Sequence, residues 1–83
     1  MVDYKNNNNN NNQLDNIDPY ILVDEKSSDE IYVGVSITFN DKSKNIWKIK
    51  RIIKLGNIWH VQYPNGNRDY IYCWNDRLSY IYD

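Results

Sequence analysis

Alanine is missing from this chain altogether, and across its 83 residues cysteine and histidine occur once each. A lone Cys73 cannot close an internal disulfide, so a stapled secreted scaffold and a cysteine-based zinc site are both excluded. An intracellular setting is expected, whether cytoplasmic, nuclear or inside a host cell. Three glycines are too few for a Gly-rich phosphate loop. No apolar run approaches the ~20 residues of a membrane span. Met1 is followed by Asp3 and asparagines in place of a basic stretch and an apolar one, so no secretory leader is expected. Nor does one charge dominate: 10 basic against 11 acidic groups give a net charge of −1, which by itself argues for neither a nucleic-acid binder nor an acidic tail.

Parts for catalysis are equally scarce. A nucleophile needs a base beside it, and the only histidine, His60, falls on the strand face opposite the aromatic residues. Cys73 reads as a small half-buried side chain, not a reactive thiol. The carboxylate pairs Asp24-Glu25 and Asp29-Glu30 fall in a loop-like segment without a supporting pocket. A non-catalytic protein without metal or cofactor is expected.

What the chain does hold is unevenly distributed. Up to Asp41 there are eight acidic and two basic residues, and after it three acidic and eight basic, so the halves carry −6 and +5 and are able to neutralise each other in the fold. Asn, Ile, Lys and Tyr make up about half of the residues, and all four use AT-rich codons. Part of the tyrosine abundance is therefore expected to reflect an AT-rich genome, such as that of a microbe, parasite or virus. Residues 1–18, with a run of seven asparagines, have too little apolar surface to offset the entropy of ordering and read as a disordered, low-complexity tail.

From Pro19 to Asp83 short runs of Ile, Val, Tyr and Trp separated by polar turns indicate one compact all-β domain. Tyr20–Val23 is a first strand. Ile31, Val33, Val35, Ile37 and Phe39 alternate with Tyr32, Gly34, Ser36 and Thr38, giving a strand with one buried face. Between residues 46 and 54, Trp47, Ile49 and Ile53 take one face and Lys48, Lys50 and Lys54 the other. A three-residue loop of Leu55, Gly56 and Asn57 then opposes Ile53 to Trp59, Arg51 to Val61 and Ile49 to Tyr63, which keeps large apolar residues together. A bulge near Arg51 and Ile52 would turn Ile52 inward. The Asn65-Gly66 turn opposes Tyr63 to Arg68, Val61 to Tyr70 and Trp59 to Tyr72. On this register Trp47, Ile49, Trp59, Val61, Tyr63, Tyr70 and Tyr72 share an inward face, and tyrosine hydroxyls reach its rim. The register of the last strand, Leu78–Tyr82, stays open.

Five or six short antiparallel strands in about 65 residues suggest a small closed or nearly closed barrel. The stretch "VSITFNDKSKNIWKIKRIIKLGNIWHVQYPNG", residues 35–66, resembles the SH3-like barrels, the Tudor-type members in particular: a strand ending in an acidic residue, a Trp-led strand with alternating aliphatics, and a strand closing in an aromatic before an Asn-Gly turn. The resemblance implies an aromatic cage for methylated Lys or Arg at one barrel end, carried here by Trp47 and Tyr63 with Asp41 as acidic neighbour. Lys48 stands where that family has a second aromatic.

Two binding surfaces follow. An aromatic rim of Trp47, Tyr63, Tyr70 and Tyr72 beside Asp41 would anchor a protein or peptide partner. A basic face of Lys48, Lys50, Lys54 and His60, with Gln62 beside them, would hold the backbone of a single-stranded nucleic acid, or be a solvated face that protects strands from edge pairing. Membership of a viral or larger assembly as an accessory or structural subunit is a third reading, and the sequence leaves the oligomeric state open.

Overall fold

The computed structural model describes residues 18–83, so the tail expected at residues 1–18 lies, except for Asp18, outside the described residues. Four stretches rich in β-branched and aromatic side chains form consecutive antiparallel strands, β1 (Tyr20–Ser27), β2 (Glu30–Ser36), β3 (Asn45–Leu55) and β4 (Ile58–Gln62). They pair in chain order, and a short β5 (Tyr72–Cys73) pairs with the first residues of β3, completing a five-stranded antiparallel sheet. The all-β architecture is thus as the sequence indicates. A 3-10 turn, Trp74–Asp76, follows β5. Among the described residues no helix is long and apolar enough to cross a membrane.

The turns follow local chemistry. Ser28 and Asp29 join β1 to β2, with the Asp29 amide donating to Ser27 Oγ at 3.2 Å. Gly56 and Asn57 alone join β3 to β4, because Leu55 pairs with Ile58. Gly56 takes φ +64° at the first central position, which a Gly-led two-residue hairpin requires. The register is therefore one residue away from the three-residue loop expected above: Ile53 faces His60, Arg51 faces Gln62, and Trp59 and Val61 face Lys54 and Ile52. A one-residue slip moves every side chain of a strand to the other face. The pairing of β2 with β3 runs without a break from Lys48 to Ile53, so no bulge turns Ile52 inward.

Asn65 and Gly66 adopt φ +52° and +68°, and the Asn67 amide closes the turn on the Pro64 carbonyl at 2.8 Å. The turn is the one expected, but the chain leaving it does not return beside β4. An Asx-type bond from the Asp69 amide to Asn67 Oδ1 at 2.7 Å diverts it. Tyr72 consequently pairs with Trp47, not Trp59. Pro64 meets Tyr82 in an isolated bridge.

The inner face of the sheet is covered by this C-terminal segment. Trp47 and Ile49 of β3, Tyr32 of β2 and Trp74 form the buried cluster, with Leu22, Ile46, Tyr72, Tyr80 and Tyr82 packed around it. Gly34 is the reason Trp74 can lie flat on β2: a Cβ there would stand 2.4 Å from Trp74 Cε3. Buried Ser36, the next residue on this face, donates from Oγ to the Phe39 carbonyl at 2.7 Å. So β2 turns Tyr32, Gly34 and Ser36 inward and Val33 and Val35 outward, while Ile37 and Phe39 lie beyond the strand and exposed. Trp74 comes to the core from the C-terminal segment, and the small residues Gly34 and Ser36 on the inner face of β2 leave room for it.

The tyrosine hydroxyls under this cover are all bonded. Tyr82 donates to the Arg77 carbonyl at 2.7 Å and Tyr72 to the Pro64 carbonyl at 3.1 Å. Tyr80 Oη accepts the Cys73 amide at 2.9 Å. Tyr32 donates to Glu30 at 2.5 Å. Among the described residues two ion pairs join the acidic and basic halves of the chain, Asp24 to Arg77 at 2.9 Å and Glu30 to Arg51 at 3.2 Å. Asp24 and Glu30 are thus strand residues with partners, not members of a solvated loop.

Burial raises the Tyr32 phenol to about 12 and moves Tyr80 and Tyr82 upward as well. A phenol that stays protonated in the folded chain stabilises it fully only below the unfolded pKa of about 10. Above that pH the unfolded chain releases protons that the folded chain retains, so stability declines as pH rises toward 12. Urea unfolding on either side of pH 10 is expected to show a lower midpoint on the alkaline side, together with a late rise in phenolate absorbance that coincides with unfolding. A midpoint that stays constant through about pH 11.5 would contradict the burial of these hydroxyls.

Candidate functional site

The proposed aromatic rim is dispersed by the fold. Trp47 has no exposed surface: its ring lies 6.2 Å from that of Trp74, and its Nε1 donates to the Asp41 carbonyl at 2.8 Å. It is a core side chain and cannot anchor a partner. The Asp41 carboxylate caps its own loop, accepting from the Ser43 amide and hydroxyl at 3.0 and 2.6 Å, bonds that hold its pKa below the usual value. Tyr72 is half-buried against Tyr80, with ring centroids 4.9 Å apart. Tyr63 is half-buried with Arg68 stacked 5.0 Å over its ring. Tyr70 stands exposed beside Lys48. A cage built on Trp47 and Tyr63 is therefore not open to a methylated ligand.

The basic face is divided by the same register. Lys48, Lys50 and Lys54 do share the outer face, as alternation requires. His60 and Gln62 pair with Ile53 and Arg51 and so belong to the other side. Gln62 accepts from Arg51 Nη1 at 3.3 Å. In place of His60 and Gln62 the lysines have Trp59 and Val61 as neighbours.

The outer face carries the unexpected feature. Its cross-strand rows read Ile21, Val35 and Lys48, then Val23, Val33 and Lys50, then Glu25, Ile31, Ile52 and Val61, then Lys54 and Trp59. Val23 is 59% exposed, Ile21 58%, Val61 54% and Trp59 46%. Aliphatic residues on strands ordinarily lie against a second layer. No described segment covers Ile21, Val23 or Val61. Beside the lysines, Val33, Val35, Lys48, Lys50 and Tyr70 line a cleft of about 110 Å³. Lys48 Nζ lies 5.8 Å over the Tyr70 ring and Lys54 Nζ 6.0 Å over Trp59, cation–π placements that hold both rings against the sheet.

Compared with known protein families, curated proteins and solved structures, this chain matches none. Glu30, on the inner face, is kept below its ordinary pKa first by the Tyr32 hydroxyl and then by Lys26 and Arg51, so at neutral pH it is an ionised structural anchor. Among the described residues no group of three or more His, Cys, Asp or Glu is placed to hold a metal ion. What the outer face offers is apolar area crossed by cations.

The sequence missed this face because the aliphatic residues of the second strand read as its buried side. One signal pointed the other way. Gly34 is the one glycine inside a strand, and an isolated strand glycine marks close approach of another group; the face that needs Gly34 is the covered one.

Proposed function

We propose that this chain is a non-catalytic protein-binding module that engages its partner through the outer face of its sheet. The observation carrying the reading is that contiguous face, on which Ile21, Val23, Val61 and Trp59 stand open to solvent around the β3 lysines. Large exposed apolar patches rimmed by polar groups mark interaction surfaces on soluble proteins. The binding role expected of an aromatic rim is thus transferred to a different surface. Kinship with the SH3-like, Tudor-type domains belongs to this proposal for architecture only, since Trp47 is in the core. Service as a subunit of a viral or larger assembly is the same reading with a permanent partner.

Val61→Glu and Trp59→Ala, at exposed positions, are expected to shift stability by no more than about 0.5 kcal/mol while lowering capture of the partner by crosslinking in the native source at least about tenfold. Partner capture that survives both substitutions would remove the proposal.

A second reading is single-stranded nucleic-acid binding, favoured by the placement of Lys48, Lys50 and Lys54 on one face. Its mark would be oligonucleotide binding that weakens steeply with salt.

A further inference from the structure

Among the described residues the charge on the outer face is uncompensated. Lys48, Lys50 and Lys54 have no ion-pair partner among the described residues, whereas Asp24 and Glu30 are held by Arg77 and Arg51 on the inner side. The carboxylate that strands β1 to β4 place on the outer face, Glu25, stands opposite Ile31 on the outermost strand, two strands away from the lysines. That separation is about 10 Å, a full Debye length at moderate salt. A partner that covers the aliphatic rows must therefore bring negative charge with it, or leave three ammonium groups desolvated and unpaired.

Three kinds of partner could cover such a surface. A second copy of the same face would set lysines against lysines, and like-charge juxtaposition across an interface costs several kcal/mol. A nucleic acid would supply charge, but it gains its base contacts by stacking on free rings. Here the two rings of the face, Tyr70 and Trp59, have a lysine ammonium 5.8 and 6.0 Å from their respective centroids, which competes with a base for that ring face. The aliphatic rows of β1 and β2 would also stay bare. A protein segment carrying both leucine-like side chains and carboxylates meets each requirement. Its backbone cannot bond to the face, because the strand amides and carbonyls there are used within the sheet. A helix satisfies its own backbone, and at about 10 Å across it spans two strands.

Resting on the protein-binding reading above, we infer that the outer face binds an acidic amphipathic helix. Its apolar stripe lies along Val23, Val33 and Val35, its Asp or Glu flank follows Lys48, Lys50 and Lys54, and one carboxylate enters the 110 Å³ cleft between Lys48 and Lys50.

The test uses the full chain and three labelled probes in anisotropy titrations. One is a synthetic peptide of about 18 residues with leucines at helical spacing and glutamates along one flank. The second has lysines in place of the glutamates, and the third is an oligothymidylate. The glutamate peptide is expected to bind at least about tenfold more tightly than the lysine peptide, to weaken with salt, and to lose about tenfold on Lys48→Glu/Lys50→Glu. Lys48→Gln/Lys50→Gln should lose less, and circular dichroism of both variants checks that the sheet is intact. Tighter binding of the oligothymidylate, or a face-to-face dimer in light scattering that excludes the peptide, would overturn the inference. Equal binding of the two peptides, abolished by Val61→Glu, would overturn the acidic partner and leave the protein-binding face standing. Peptide binding indifferent to both Val61→Glu and the lysine variants would end both.

Discussion

Trp47→Ala is expected to remove about half or more of the chain's folding stability and to lower its melting temperature sharply. The indole is completely buried, packs against Trp74 and is fixed by its bond to the Asp41 carbonyl. Truncating a core aromatic costs about 3 to 5 kcal/mol. At about 0.05 to 0.15 kcal/mol per residue, a domain of this size has only a few more than that in total. The same substitution at Trp59, 46% exposed on the outer face, should change stability by no more than about 0.5 kcal/mol. Circular dichroism melts of the two variants decide the matter. If the Trp47 variant melts within a few degrees of the parent, the indole is not the centre of the core.

Gly34→Ala is expected to destabilise by about 3 kcal/mol, the upper end for an overpacked core. The added methyl would stand 2.4 and 2.7 Å from two carbons of Trp74 and 3.3 Å from Trp47 Cε3. Both obstacles are buried, rigid rings with no room to retreat. The double variant Gly34→Ala/Trp74→Leu separates this clash from a general strand effect. A smaller side chain over residue 34 makes room for the methyl, so the two destabilisations should sum to more than the double variant loses. Simple additivity would mean that Trp74 does not rest on Gly34.

The strands were legible in the sequence where local chemistry decides, and the faces were not where long-range packing decides. Alternation placed Trp47, Ile49 and Ile53 against Lys48, Lys50 and Lys54 correctly, because parity within one strand needs no partner. The β3–β4 register failed since keeping aromatics together was weighed above the Gly56-Asn57 turn, and the turn prevailed. The same preference put Trp59 and Val61 inside. Trp74 escaped notice because it sits in a 3-10 turn, where no periodicity marks the buried side. Of the site residues, the lysines were found as a group. Their aliphatic neighbours Val23, Val33 and Ile52 were missed, being the residues ordinarily assigned to a core. The opposite charges of the two halves were a true signal of long-range pairing, realised by Asp24 with Arg77 and Glu30 with Arg51.

The cover that Trp74 and Tyr82 lay over the meander has a bearing on how the molecule comes together. Each hairpin of β1 to β4 joins neighbours in sequence, whereas Trp74 reaches Gly34 only after a far longer loop is closed. Docking of that last segment is then the slow event, and a sheet waiting for it is bare on both sides, with unpaired β1 and β4 borders available to any neighbouring chain. For this protein the interval before closure adds a second bare face to the outer face and sheet borders that the finished fold leaves open, and so raises its exposure to aggregation.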